Sequence, residues 1–293
     1  MKIYNFKFLS LAVFSLLIFL TSCQKEEVQS EDVKVELEEV INTIVNKEVP
    51  KDIIDKLDKL KFNTKDIAIE RVELPDGTVE EQFLVEGDIN ITEEQIDFLL
   101  KSGIPDYASK QYRTYNLVAS PQVITVTGWT GGGGYGLSTK MRTALSWAIA
   151  NYNSLPIGLT FSLTFGTSTA SDIVVYRLPN GQVGGRAGFP YGNGNPYKWV
   201  RMYSGLDSPT YSTNVVEHVT THEIGHCLGL RHTDWFTRFS CGSYNPESAN
   251  PVGAVFIPGT LVNDPNSVMQ ACFNTSEDGE FGYYDRVALN FLY

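Results

Sequence analysis

The stretch HEIGHCLGLRH, residues 222–232, decides how the rest of this chain is interpreted, because it holds three of the chain's four histidines. Residues four apart on a helix project from one face about one turn apart, so His222 and His226 can bind one Zn²⁺ together. Glu223 lies between them and can reach a water molecule on the metal. This spacing predicts a metal site on a helix.

Two further residues complete the predicted site. Gly229 accepts the left-handed backbone geometry that ends a helix, so the chain turns back after it. The turn offers His232 as a third ligand. Three protein ligands leave one position of a tetrahedral zinc ion open to water, which is typical of a catalytic site. Zinc lowers the pKa of such a water to about 7, and Glu223 would accept its proton.

The pattern His-Glu-x-x-His-x-x-Gly-x-x-His resembles the signature of the metzincin zinc peptidases. Metzincins also carry a turn with a methionine beneath the metal, and residues 267–269, Ser-Val-Met, are similar to that turn. Residues 281–293 resemble the C-terminal helix of several metzincins. The sequence HEIGHCLG, together with residues 232–235, is most similar to that of the bacterial dual-action HEIGH metallopeptidases. The resemblance covers roughly residues 120–293.

This resemblance implies an α+β catalytic domain with a twisted mixed sheet, a zinc helix, an irregular lower subdomain and a C-terminal helix. It implies one catalytic Zn²⁺ on the three histidines, protein or peptide substrates, and Met269 beneath the site without contact to the metal. Astacins have a metal-binding tyrosine two residues after that methionine, and here the position is Ala271. We therefore expect three histidines and one water around the zinc.

Three polar residues near the motif allow more than one interpretation. His218 lies one helical turn before His222. It is either a structural histidine, packed or capping, or a residue that contacts the metal site or the substrate. Arg231 and Asp234 flank the third ligand, where they either support it or form a surface ion pair. We expect the surface ion pair.

The N-terminus predicts export. A short basic start precedes 13 apolar residues, 8–20, which are too few to span a bilayer core of about 30 Å and are typical of a signal peptide. Residues 20–23, Leu-Thr-Ser-Cys, resemble a bacterial lipobox, which implies a signal peptide over 1–22 and lipidation of Cys23. Residues 24–27, Gln-Lys-Glu-Glu, resemble the lysine-acidic signal that sends some Gram-negative lipoproteins to the cell surface. We expect a surface-exposed lipoprotein in the outer membrane; ordinary secretion is the alternative.

The remaining cysteines lie in the C-terminal part. In an oxidising compartment at least one pair is expected, and Cys241 with Cys272 is our first choice because both lie in loop-like sequence. Cys227 would then be a buried free thiol on the zinc helix. Cys227 with Cys272 is the rival, and spacing alone does not decide between them.

Charge divides the chain at about residue 120. The formal net charge is −11, residues 24–120 carry 23 acidic and 12 basic side chains, and residues 121–293 carry 11 and 9. This acidity argues against a nucleic-acid partner, because a protein binds nucleic acid through a basic surface. The chain therefore divides into the signal peptide, a tether over 23–32, a propeptide-like domain over 33–119 and the catalytic domain over 120–293.

The propeptide-like domain is predicted to be a small α+β unit. Apolar spacing favours helices over 33–46 and 51–60, and residues 67–74 and 78–85 read as a hairpin. A capping box at residues 92–95 begins another helix that runs to about 101. The domain either covers the cleft, with Asp97 or Asp106 among the candidate blocking carboxylates, or serves as a spacer or folding aid.

In the catalytic domain the pattern predicts strands over 122–127, 160–165, 172–178 and 197–203, the last as the edge strand that meets extended substrate. It predicts a helix over 138–152 capped by Ser138, and a zinc helix over 215–230 capped by Thr213 or Asn214. The sequence thus predicts a zinc endopeptidase, made as a surface lipoprotein and latent through its N-terminal domain. The alternative is a non-catalytic zinc-containing adhesion lipoprotein, and the intact Glu223 argues against it.

Overall fold

This computed structural model describes residues 43–45, 48–59, 64, 67–85, 87, 89–102, 111–249, 252–261 and 263–293. All of these residues belong to one compact unit. The predicted signal peptide, Cys23 and the tether lie outside the described residues, as does Asp106. None of the helices in the described part of the chain has the length and apolar character needed to cross a bilayer.

The N-terminal sheet has four antiparallel strands in the order β1 (Thr43–Val45), β2 (Ala68–Glu73), β3 (Val79–Val85) and β4 (Ile89–Ile91). Helix α1 (Lys51–Lys59) follows β1, and helix α2 (Glu93–Ser102) follows β4. Gly77 makes the β2–β3 turn at φ +83. Thr92 and Gln95 cap α2 reciprocally, since each side chain accepts from the other residue's backbone N–H.

The helix predicted over 33–46 is wrong where the structure describes it. Residues 43–45 form β1, which pairs with β2 from Thr43 opposite Arg71 to Val45 opposite Ile69. The β-branched residues of this segment favour an extended backbone once a neighbouring strand offers hydrogen bonds. Residues 33–42 lie outside the described residues.

The C-terminal sheet has five strands in the order β7-β6-β8-β10-β9. They are β6 (Gln122–Trp129), β7 (Leu159–Gly166), β8 (Ile173–Leu178), β9 (Gly185–Arg186) and β10 (Trp199–Tyr203). All pairs are parallel except β9 with β10. The two edge strands are therefore β7 and β9, and the strand predicted over 197–203 as an edge strand lies inside the sheet, next to β9. A two-residue Gly-Arg strand has no periodicity from which to recognise it.

The remaining elements are short β5 (Tyr112–Arg113), which pairs with β11 (Val255–Phe256), and helices α3 (Thr139–Asn153), α4 (Thr213–Leu228) and α5 (Tyr283–Leu292). Ser138 caps α3, as predicted. Helix α4 is capped by Ser212, whose hydroxyl accepts from the Val215 N–H, rather than by the predicted Thr213 or Asn214. Together with the irregular stretch before α5, these elements confirm the α+β fold.

The two sheets are joined by a shared hydrophobic cluster and by several polar contacts, the most buried of which centre on Glu70. Val72 of β2 and Leu74, just after this strand, join the same buried cluster as residues of β6, β8, β10 and α4. The buried Glu70 carboxylate accepts from Arg186 Nη1 at 2.7 Å and from Arg201 Nη1 at 3.1 Å. The N-terminal sheet is thus fixed to the edge of the sheet that carries β9.

Candidate metal centre and catalytic cleft

Three histidines converge at the end of α4. His222 and His226 lie one turn apart on the helix, and all three rings are buried. His226 Nε2 lies 3.1 Å from His232 Nε2, and His222 Nε2 lies 3.2 Å from it. Among the described residues, this is the one group of histidine, cysteine and carboxylate side chains arranged closely enough to hold a metal ion.

Gly229 makes this convergence possible. It ends α4 with φ +108, and its N–H donates to the carbonyls of Gly225 and His226. A Cβ at this position would lie 2.7 Å from Thr114 Oγ1 and 2.8 Å from the Asn116 carbonyl oxygen. Glycine is therefore required both by the left-handed backbone and by the space. The turn carries the chain back to His232.

The contacts of the three Nδ1 atoms explain why the three Nε2 atoms face each other. His222 Nδ1 lies 2.8 Å from the Val268 carbonyl, His226 Nδ1 lies 2.8 Å from the Leu230 carbonyl, and His232 Nδ1 contacts Glu247 Oε1. Acceptors at all three Nδ1 atoms hold the protons there, which leaves three Nε2 lone pairs directed at one another.

Facing lone pairs repel unless a cation lies between them. Zn–N bonds of about 2.0–2.1 Å in a tetrahedron place the nitrogens about 3.3 Å apart, close to the 3.1 and 3.2 Å found here. The neutral, nitrogen-only donor set also suits zinc. The three histidines therefore fit one zinc ion, and the described part of the chain supplies no fourth ligand.

Sequence reasoning missed Glu247, which supports the third histidine. Its buried carboxylate contacts His232 Nδ1 through Oε1 and accepts from Arg231 Nη2 at 3.0 Å through Oε2. Glu247 follows His232 by 15 residues along an irregular segment, so no periodic spacing marks it. A nearby buried carboxylate fixes the orientation of a ligating imidazole and raises its basicity.

The predicted surface ion pair of Arg231 and Asp234 is wrong, because both side chains are buried. Arg231 donates to Glu247 and to the Ser248 and Gly253 carbonyls. Asp234 accepts from the N–H and hydroxyl of Ser240 and from the Ala271 N–H. Each therefore ties the segment after the third histidine to a neighbouring loop.

The methionine turn lies directly beneath the zinc helix. A Cβ on Gly225 would lie 2.6 Å from the Met269 sulfur, so glycine allows the close approach. The Val268 carbonyl holds His222, and the Val268 N–H donates to Asp285 of α5 at 2.9 Å. Burial raises the pKa of Asp285. The C-terminal helix thus supports the metal centre through the turn.

A cleft of about 270 Å³ opens beside His222 and Glu223. Edge strand β9 forms one wall, and a Cβ on Gly185 would lie only 2.7 Å from Glu223 Cγ. Residues 270–273 also line the cleft. His218 also lines the cleft, and burial lowers its pKa to about 4. Its Nε2 has no hydrogen-bond partner in the described part of the chain.

The cysteine pairing is Cys241 with Cys272, joined by a disulfide, while Cys227 is a buried free thiol. Burial raises the pKa of Cys227 well above the ordinary thiol value, which keeps it protonated and unreactive. Asp97, a candidate blocking residue, pairs with Lys56 at 2.9 Å and does not line the cleft.

Comparison with known proteins identifies one family. The model described as dual-action HEIGH metallo-peptidase matches residues 83–293. One solved structure of myroilysin has 16% sequence identity and a TM-score of 0.38, over 61% of this chain and 95% of the other. A second myroilysin structure has 14% identity and a TM-score of 0.37, over 68% and 95%. No curated protein matches the chain.

Proposed function

This chain belongs to the dual-action HEIGH metallo-peptidase family, and on that premise we propose that His222, His226 and His232 bind one catalytic zinc ion and that Glu223 is the catalytic base. The observation that carries the proposal is the convergence of three Nε2 atoms from rings whose Nδ1 atoms each face an oxygen acceptor. Zinc bound there would supply Lewis acidity and lower the pKa of a bound water to about 7.

Glu223 performs the proton transfers in this proposal. It lies one residue after the first ligand and lines the cleft beside it. Its carboxylate accepts a proton from the attacking water and donates it to the amine that leaves the cleaved peptide bond. Gly185 brings the backbone of β9 against this carboxylate, so an extended peptide paired to the free side of β9 would pass Glu223 closely.

The experiment is a comparison of the wild type with Glu223→Ala and Glu223→Gln. Both variants should bind one zinc per chain and lose peptide hydrolysis by at least about a hundred-fold, because general acid–base catalysis is worth about 10²–10⁴-fold. Retained hydrolysis in either variant would contradict the mechanism. A zinc-bound wild type that cleaves no peptide in a proteome-derived library would instead favour the adhesion function.

In this proposal the N-terminal sheet covers part of the cleft, so the protein is made in a latent, inactive form. Two contacts support this part of the proposal. Gly87 lines the cleft, and Asn90 of β4 donates its N–H to the Ala187 carbonyl at 3.2 Å, at the end of β9. Strand β4 therefore takes part of the free side that a substrate would need. The Glu70 contact with Arg186 and Arg201 holds the sheet in place.

Latency is tested on the full chain with Glu70→Ala and Glu70→Gln. Loss of this carboxylate leaves two buried guanidinium groups without their shared partner, which loosens the attachment of the sheet. Hydrolysis of a short peptide should then rise above the wild-type rate, and limited proteolysis before residue 111 should raise it further. Equal rates in all forms, with the zinc content unchanged, would contradict latency.

The lipid anchor at Cys23, in the outer membrane and facing outward, completes the proposal; its support is the sequence of residues 8–27. Acyl chains add about 0.8 kcal/mol per buried methylene, so several chains anchor a protein stably. Intact-mass measurement of the membrane fraction should show a triacylated N-terminal cysteine. Cys23→Ser should abolish this modification, and a wild type released with an unmodified N-terminus would contradict it.

A further inference from the structure

The wall of the catalytic cleft contains a buried polar group that the proposed mechanism does not use. His218 lines the cleft together with His222 and Glu223. Its side chain is only 6% exposed, and its Nε2 has no hydrogen-bond partner in the described part of the chain. Buried polar atoms in proteins are nearly always paired, so an unpaired one beside a cleft indicates a group that a ligand completes.

The zinc helix places His218 next to the metal centre. His218 and His222 are four residues apart in α4, so they project from one face about one turn, or about 5.4 Å, apart. Successive residues of an extended peptide are about 3.3 Å apart. A peptide whose scissile bond lies at the metal therefore brings a neighbouring side chain within reach of His218.

The surroundings of His218 are mostly apolar. Val219 and Phe273 line the same cleft, and the centroid of the Phe273 ring lies 6.1 Å from that of His218. The disulfide from Cys241 to Cys272 fixes the chain directly before Phe273. A side chain that enters this part of the cleft thus meets apolar walls and the imidazole.

The imidazole offers a hydrogen-bond acceptor. Burial lowers the pKa of His218 to about 4, so the ring is neutral at pH 7 and carries its proton on one nitrogen only. Glu277 Oε2 lies 3.8 Å from Nδ1, which is too long for a hydrogen bond. Its negative charge nevertheless favours the proton on Nδ1. Nε2 then has a lone pair that requires a donor.

We propose that His218 is a specificity-determining residue whose Nε2 accepts a hydrogen bond from a substrate side chain next to the scissile bond. The proposal rests on the proposed function and adds the substrate class, peptides with an uncharged donor (Gln, Asn, Ser or Thr) at that position. A site built to bond a polar group discriminates strongly against analogues that lack it.

Other side chains suit this position less well. A carboxylate brings only acceptors to the lone pair and is repelled by Glu277, and an aliphatic group leaves Nε2 unpaired. An ammonium group would lose its hydration between the apolar walls without forming a charged pair with the neutral ring.

The test uses the full chain, before and after limited proteolysis, on a proteome-derived peptide library read by mass spectrometry. Wild type should cut with uncharged donor side chains enriched at one fixed position. In matched peptides that differ only there, Gln should exceed both Glu and Met by about ten-fold in kcat/KM.

Two variants at position 218 separate the contributions. His218→Phe keeps a ring and removes the acceptor, so the ratio of Gln to Met should fall to about one. His218→Gln has an amide that both accepts and donates, so it should keep the preference over Met while the ratio of Gln to Glu falls.

The matched control is Thr220→Val, which removes another buried polar atom from the same helix. The Thr220 hydroxyl donates to the Val216 carbonyl at 2.7 Å, and the residue does not line the cleft. This variant should keep the wild-type ratios, and zinc content is measured for every form to exclude a damaged metal centre.

A wild type that cleaves without enrichment of uncharged donors at any position would overturn the inference. A ratio of Gln to Met in His218→Phe equal to that of wild type would also overturn it. Absence of cleavage in every form is distinguishable from both results, because it would mean that the proposed function has failed and the inference with it.

Discussion

The carboxylate behind the third histidine offers the sharpest test of how this site is built. We consider Glu247→Gln, which keeps the shape of the side chain and removes its charge. In the wild type both oxygens are engaged, one by His232 Nδ1 and the other by Arg231 Nη2 at 3.0 Å. Both partners are donors, so the amide group of glutamine must face at least one of them with a donor of its own.

The expected loss follows from that conflict. Removing a partner of a ligating histidine costs about 10–100-fold in metal affinity, which corresponds to about 1.4–2.8 kcal/mol. Arg231 keeps its bonds to the Ser248 and Gly253 carbonyls at 2.7 and 3.1 Å, so the fold should survive. Glu247→Ala also leaves a buried guanidinium without its counter-charge and should lose about 3–5 kcal/mol of unfolding free energy.

The assay is competition for zinc with a chromophoric chelator, combined with thermal unfolding of the zinc-free forms. Glu280→Gln removes an exposed glutamate from another loop and should change neither quantity. At saturating zinc, Glu247→Gln should recover most of its kcat, since its defect is one of metal binding. A zinc Kd within two-fold of wild type would show that Glu247 does not position His232 and would refute the reasoning.

Three further predictions concern the cleft and its supports. Gly185→Ala places a Cβ 2.7 Å from Glu223 Cγ and should lower kcat/KM by about a hundred-fold with zinc retained. The control Gly166→Ala places a Cβ with no atom within 4 Å and should leave kcat/KM unchanged. Equal losses in the two variants would contradict the steric argument. Replacement of Cys241 and Cys272 by serine opens a 31-residue loop and should cost up to about 4 kcal/mol of unfolding free energy, measured by urea titration. An unchanged unfolding free energy would show that other contacts hold the loop without the disulfide. Burial lowers the pKa of His218 from 6.5 to about 4, so its contribution to stability is full above pH 6.5 and is lost as the pH falls towards 4. At pH 4.5 the wild type should have lost about 2.5 kcal/mol more unfolding free energy than His218→Gln. Parallel profiles of unfolding free energy against pH would be inconsistent with a buried neutral imidazole.

The metal centre was predictable because its information is local. The spacing of residues 222–232 and a glycine at the turn determine where three imidazoles go, whatever surrounds them. The helices that the structure contains and its longer strands were equally clear, since their apolar periodicity continues over five or more residues. Both features are encoded within a few turns of chain.

The parts that sequence reasoning missed depend on contacts between distant segments. Glu247 reaches His232 across an irregular loop, and β9 is recognisable as a strand only through its pairing with β10. Apolar spacing over residues 33–46 predicts a helix, and only the pairing of residues 43–45 with β2 makes that part a strand. The docking of Glu70 on Arg186 and Arg201 likewise links residues more than 100 positions apart.

The most direct measurement of the central claim is X-ray absorption spectroscopy of the zinc-loaded protein, with zinc content determined in parallel. We predict one zinc per chain, surrounded by three imidazole nitrogens and one oxygen at about 2.0–2.1 Å, and loss of one imidazole shell in His232→Ala. A coordination shell with sulfur, or with fewer than three imidazoles in the wild type, would contradict the account.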